Sequence, residues 1–147
     1  MVCTNILNTL RVVFVKGYVT TGFLQLTPEV VYSCPGERVT FSCVVTTGSE
    51  LFWEVDYVYL SDSSKQRFLA SDQPGRTIYL LNSEGHVFEF TLVSTSPLTS
   101  NATTIMVSEL NGTLVYCEDA TSAKTTSAIY IISGTLSVSL LIHSEQL

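Results

Sequence analysis

Cys43, Trp53 and Cys117 fall in three separate runs in which apolar and polar residues alternate. Val39-Thr40-Phe41-Ser42-Cys43 is followed by Leu51-Phe52-Trp53-Glu54-Val55, and much later by Leu114-Val115-Tyr116-Cys117. In each run the cysteine or tryptophan lies on the apolar side. Period-two alternation is what a half-buried strand needs, because successive side chains point to opposite faces of a sheet. Two inward-facing cysteines on strands distant in sequence, with the only tryptophan between them, constrain the chain to two sheets facing one core.

The length of 147 residues suits one domain and is too short for two comfortable ones. A hydrophobic content of 46% permits a sizeable core and argues against intrinsic disorder. The net charge of −6, with three lysines and four arginines scattered along the chain, argues against nucleic acid as a partner. An anionic membrane surface is unattractive on the same grounds.

Alternation and turn residues mark out the strands. Residues 22–27 read as a strand ending at Pro28, and Cys34-Pro35-Gly36-Glu37 as a turn. Further strands are expected over 38–46, 50–56, 77–81, 86–94, 102–109, 113–118 and 126–132. In the strand at 102–109, Ile105 and Val107 are expected to point inward. Tyr57-Val58-Tyr59-Leu60 continues the strand at 50–56 or begins an edge strand, and Arg67-Phe68-Leu69-Ala70 gives a short one. Asn111-Gly112 is a strong tight-turn signal. Helix is expected only as a turn or two before Asn111 or near residues 1–10. The expected divisions are an N-terminal segment 1–21 of unclear role, a domain over 22–133, and a segment 134–147. In that last segment Leu136, Val138, Leu140 and Ile142 alternate with polar residues, as an extension of the last strand or the start of a following domain.

The four cysteines permit three complete pairings, and arithmetic does not choose among them. No Cys-x-x-Cys pair occurs, and His86 and His143 stand at no zinc-like spacing from a cysteine, so neither a structural metal nor another cofactor is expected.

The order Cys43, Trp53, Cys117 on correctly phased strands resembles the immunoglobulin superfamily. The phrases Cys34-Pro35-Gly36-Glu37-Arg38-Val39-Thr40-Phe41-Ser42-Cys43 and Glu109-Leu110-Asn111-Gly112-Thr113 look like Ig-like domains of invertebrate cell-surface proteins. The resemblance covers roughly residues 22–133 and implies an all-β, two-sheet antiparallel sandwich of variable or intermediate type. It also implies an inter-sheet disulfide between Cys43 and Cys117, with Trp53 packed on it. Such a bridge stabilises the fold by about 4 kcal/mol in the chain-entropy model. Cys3 and Cys34 can pair with each other, stay free or bridge to another chain. Val115 occupies the position of the family's corner tyrosine, and Asn111-Gly112 replaces the usual aspartate turn.

A disulfide of this kind points to an oxidising compartment. Two N-glycosylation sequons agree, Asn101-Ala102-Thr103 and Asn111-Gly112-Thr113, both expected at turns or strand ends. Arg11 and Lys16 leave only Val12-Val13-Phe14-Val15 between them, too short for the apolar core of a signal peptide. Residues 125–142 are uncharged but contain seven Ser and Thr, unlike a membrane span. The expectation is a fragment of a longer extracellular or cell-surface protein.

No catalytic residues are expected. Neither histidine accompanies a Ser or Cys nucleophile motif, and Glu54 and Asp56 fall on an outward face where solvated charge is ordinary. Alternation instead gathers Phe52, Leu114, Tyr116, Tyr130 and Ile132 on the outer face of one sheet, made by the strands at 126–132 (G in that family's lettering), 113–118 (F) and 50–56 (C) with the edge strand after it (C′). That gives one apolar patch edged by carboxylates, the anatomy of an interface. The expected function is recognition or adhesion, binding a protein ligand or a second copy through this face or through the loops at one end. The alternative is a structural spacer of a multi-domain chain.

Overall fold

The computed structural model describes Cys3 and residues 24–56, 63–81, 85–121 and 123–132, to which all structural statements here refer. The run at 57–60, the alternating segment at 135–142 and His143 lie outside these residues.

The chain forms β1 (Leu24–Thr27), β2 (Val30–Ser33), β3 (Arg38–Val45), β4 (Glu50–Asp56), β5 (Ser63–Leu69), β6 (Thr77–Leu81), β7 (Val87–Thr95) and β8 (Leu98–Ile105). A 3-10 helix over Ser108–Leu110 then leads to β9 (Leu114–Asp119) and β10 (Lys124–Ile131). Two five-stranded sheets result, ordered β1-β3-β8-β7-β6 and β2-β10-β9-β4-β5. Neighbouring strands pair antiparallel except β2 with β10, which run parallel. The fold is therefore an all-β sandwich. Pro28 stands between β1 and β2, where the chain passes from one sheet to the other.

Alternation becomes burial along the central strands. Phe41, Cys43 and Val45 of β3, Leu51, Trp53 and Val55 of β4, and Phe88, Phe90 and Leu92 of β7 enter one core. Two glycines shape the turns at one pole of the sandwich. Gly36 adopts φ 91° and donates its N–H to Met106 O at 2.7 Å, tying the β2–β3 turn to the end of β8. Gly112 adopts φ 83° and donates to Ile129 O at 2.8 Å, setting the start of β9 against β10. Both lie in the left-handed region that a Cβ disfavours.

The two sheets are linked twice at the same level. Cys43 sits opposite Ser100 in the β3–β8 ladder, and Trp53 sits opposite Cys117 in the β4–β9 ladder. Across the core Cys43 and Cys117 form a disulfide, with Cα atoms 6.4 Å apart. Beside it the Trp53 indole N–H donates to Ser100 Oγ at 2.9 Å, and that hydroxyl donates onward to Thr91 O at 2.8 Å. All four cross-linking residues are fully buried. The indole lies against Phe90, ring centroids 5.6 Å apart, and Phe90 stacks in turn on Phe88. A buried indole N–H without an acceptor is costly, so Ser100 is what allows the tryptophan to lie there.

The second bridge joins Cys3 to Cys34, with Cα atoms 5.6 Å apart. It settles the three alternatives left open for these cysteines.

Three strands differ from the sequence reading: β2 (Val30–Ser33) has no counterpart among the expected strands, and β8 and β5 depart from their expected bounds. The strand expected at 102–109 is β8, Leu98–Ile105. Its inward residues are Leu98, Ser100, Ala102 and Thr104, whereas Ile105 is exposed and Val107 only half-buried beyond the strand's end. The displacement has a chemical cause. Ser100 and Thr104 face inward with their hydroxyls hydrogen-bonded, so apolar periodicity is lost along this strand. Thr104 Oγ1 donates to Val87 O at 2.7 Å and meets His86 Nε2 at 2.8 Å. The short strand expected at 67–70 extends instead over the whole of β5, an edge strand paired to β4 from Glu50↔Leu69 to Asp56↔Ser63. Of its described side chains only Phe68 is fully buried, so no alternation marks it.

Replacing Ser100 by Ala strands the indole N–H in the core. Urea unfolding followed by the emission of the single tryptophan is expected to show a loss of about 1–3 kcal/mol. A change within about 0.5 kcal/mol, the range of an ordinary surface substitution, would show that the hydrogen bond is dispensable.

Candidate functional site: the outer face of the second sheet

Strand register arranges the outer face of β5-β4-β9-β10-β2 as rows. One row aligns Arg67, Phe52, Glu118 and Lys124; the next aligns Glu54, Tyr116 and Thr126. Farther along, Leu114 sits beside Ala128 and Val30, and Tyr130 beside Tyr32. Phe52, Leu114, Tyr116 and Tyr130 thus share the face expected of them. Their exposure differs from the expectation: Phe52, Leu114 and Tyr116 are half-buried, and Tyr130 is 45% exposed. Carboxylates do not merely edge the patch. Glu118 is the register partner of Phe52, and Glu54 that of Tyr116, so acidic and aromatic side chains alternate as on a checkerboard.

Ile132 does not belong to this face. It is only 7% exposed, lies just past β10, and donates its N–H to Ser33 O at 2.8 Å. Cys3 Sγ lies 3.4 Å from the Ile132 carbonyl oxygen. The Cys3–Cys34 bridge therefore packs on the position that simple alternation had turned outward. Tyr130 stacks on Tyr32 instead, with centroids 5.4 Å apart and planes at 20°. Sequence reasoning missed Tyr32, because the four-residue β2 is too short to show a period of its own.

Lys124, the first residue of β10, organises the part of the face nearest the β9–β10 connection. Its ammonium lies 3.9 Å from the Tyr116 ring centroid, 3.2 Å from Glu54 Oε1 and 3.9 Å from Glu118 Oε1. It thus joins two acidic side chains and caps an aromatic one. Desolvation lowers the Lys124 pKa, but the hydrogen bond to Glu54 and the charges of Glu54, Glu118 and Tyr116 outweigh it and raise the value overall. A lysine pKa raised on folding adds stability that is complete below the ordinary lysine range. The contribution fades as pH rises through the raised value. It is screened by solvent and salt, since the side chain is well exposed.

The loops at one end of the sandwich are built by buried or shared polar groups. Asp119 is 4% exposed at the end of β9. Its Oδ1 accepts hydrogen bonds from Thr121 N at 2.8 Å, Thr121 Oγ1 at 2.6 Å and Ala123 N at 3.1 Å. One carboxylate oxygen thereby fixes the β9–β10 connection. In the β5–β6 connection Asp72 Oδ2 accepts from Leu69 N at 2.8 Å and from Arg76 at 2.7 Å, while the Arg76 guanidinium lies over Phe68. Ala70 N donates to Ser49 O, joining this loop to the β3–β4 turn.

The remaining expected residues are dispersed. Asn111 is exposed in the turn before β9, and its Oδ1 accepts from Ile131 N at 2.9 Å. Asn101 is not at a turn or strand end; it lies in the middle of β8, facing out from the opposite sheet. The cause is the same displacement of β8 toward the N-terminus. His86 is half-buried beside Thr104 and edge-on to Phe88. Among the described residues, no group of three or more His, Cys, Asp or Glu side chains is gathered to hold a metal, and no helix is long and apolar enough to cross a membrane. The two disulfides are of the kind found in oxidising compartments.

No protein-family model and no curated protein matches the chain.

Asp119→Ala removes the acceptor of three hydrogen bonds at once. The expected cost is about 1–3 kcal/mol of stability, with faster amide exchange at Thr121 and Ala123. Asp119→Asn retains an acceptor oxygen and is expected to preserve that protection; equal exchange in all three proteins would remove Asp119 from this role.

Proposed function

We propose that this chain is an extracellular, non-catalytic Ig-like recognition module. It engages another protein, or a second copy of itself, through the outer face of β5-β4-β9-β10-β2. Three features support the Ig-like reading: the strand order, the parallel β2–β10 edge, and a tryptophan lying beside an inter-sheet disulfide. In that family's lettering the face is A′-G-F-C-C′.

The observation that carries the functional reading is the stacked Tyr32–Tyr130 pair next to Leu114, on a sheet that also presents Glu54, Glu118 and Lys124. Aromatic side chains are large and lose little entropy when they anchor a partner, and flanking charges select the partner's sign and register.

A spacer role in a longer chain is the second reading. It draws support from Lys124, which caps Tyr116 and neutralises part of the acidic charge within the domain itself.

The two readings separate in one experiment. The chain is displayed at high density on beads, and bead–bead and bead–cell adhesion are measured for wild type, Phe52→Lys, Tyr130→Lys and Tyr116→Ser. Recognition through this face predicts adhesion reduced about tenfold or more by Tyr130→Lys, with the melting temperature little changed. Adhesion that persists in every folded variant would end the proposal in favour of the spacer.

A further inference from the structure

The outer face of the opposite sheet is unlike a bare solvent surface. Its exposed residues include Tyr79 at 63%, Leu81 at 64%, Val87 at 43%, Val93 at 49% and Ile105 at 39%. Tyr79 and Leu81 belong to β6, an edge strand of sequence Thr-Ile-Tyr-Leu-Leu without a single charge. Edge strands are ordinarily protected by charge, proline or a covering element, and an apolar unprotected one invites association. Along the outward positions of β6, β7, β8 and β3 only Glu89 and Arg38 are charged, both toward one pole.

Asn101 occupies the middle of this face. Its register partners are Ser42 on β3 and Thr91 on β7, and its same-face neighbours along β8 are Thr99 and Thr103. These small hydroxyl side chains form a flat surface. Thr103 and Thr91 are themselves tied sideways, to Thr40 at 3.1 Å and Thr77 at 3.3 Å. Strand spacing puts Val93 about 8 Å and Tyr79 about 12 Å from Asn101. A branched oligosaccharide attached there would lie over both.

We infer that Asn101 carries an N-linked glycan that covers this face and keeps the charge-free edge of β6 from pairing with other chains. The inference rests on the extracellular reading and deepens it: glycan on one face leaves the other open for a partner. The transfer takes place on the extended chain, before β8 joins its sheet. Asn101 Nδ2 attacks the anomeric carbon of a lipid-pyrophosphate-linked oligosaccharide. A C–N bond forms, the C–O bond to pyrophosphate breaks, Nδ2 gives up one proton, and the lipid pyrophosphate departs. Folding then leaves the modified side chain on the outward face. The two sequons differ in placement, because Asn111 lies in the turn before β9, where its Oδ1 accepts from Ile131 N of the other sheet.

The test uses the whole chain secreted from eukaryotic cells, with glycans mapped by peptide mass before and after enzymatic release. Self-association is measured by sedimentation. Asn101→Gln and Thr103→Ala each remove the sequon, Thr103→Ser retains it, and Asn111→Asp removes the second sequon while keeping its acceptor oxygen. The expected result is a glycan at Asn101 and self-association strengthened about tenfold or more in Asn101→Gln and Thr103→Ala. Thr103→Ser and Asn111→Asp are expected to behave as wild type. A secreted chain unmodified at Asn101 overturns the inference, as does unchanged association after the sequon is lost. If either occurs while Tyr130→Lys still abolishes adhesion, the glycan shield fails and the recognition reading stands.

Discussion

The sandwich depends on a paired crossing at its centre. Cys43 and Ser100 are opposite one another in one sheet; Cys117 and Trp53 are opposite one another in the other. The sulfurs cross between the sheets covalently, and the indole crosses beside them by a hydrogen bond. Neither link suffices by itself. The disulfide restricts the unfolded chain but does not set how the sheets pack. The indole fills the core and fixes local geometry, but only while its N–H has an acceptor. Together they hold the inner faces in one register, from which the outward positions of β4, β9 and β10 follow.

The fold was legible wherever burial and hydrophobicity coincide. β3, β4, β6, β7 and β9 each present apolar residues inward, and their positions follow from alternation within a residue or so. β8 breaks the rule because its core-facing side includes Ser100 and Thr104, whose hydroxyls serve Trp53, Val87 and His86. A polar residue placed inward to satisfy a partner looks, in one dimension, like a residue placed outward. The partner is identifiable only once the sheets are assembled. Ile132 failed for the converse reason. Alternation turned it outward, and a disulfide from the far end of the chain lies beside it. The outward residues Phe52, Leu114, Tyr116 and Tyr130 were legible as a set because they lie on well-phased strands. Their interleaving with Glu54 and Glu118 depends on strand register, which sequence does not supply.

The two outer surfaces of the sandwich have different chemistry. The β5-β4-β9-β10-β2 face mixes aromatic rings with carboxylates and an ammonium, groups that differ in both shape and charge. The β1-β3-β8-β7-β6 face offers hydroxyls and apolar groups with little charge, a chemistry with few features to select by. A domain that must meet one partner and refuse others gains from keeping the second kind of surface out of reach.

The Cys3–Cys34 bridge has a mechanical meaning. Cys34 follows the last residue of β2, Ile132 follows the last residue of β10, and these strands run parallel. Tension entering at residue 3 and leaving at residue 132 therefore acts on neighbouring ends of one ladder, where Ile132 N meets Ser33 O. It peels that edge one rung at a time, whereas traction from Leu24 to Ile132 runs between opposite poles and shears the strands lengthwise. By rerouting force to a single corner, the covalent shortcut turns a domain that would resist stretching into one whose margin yields while its centre stays whole.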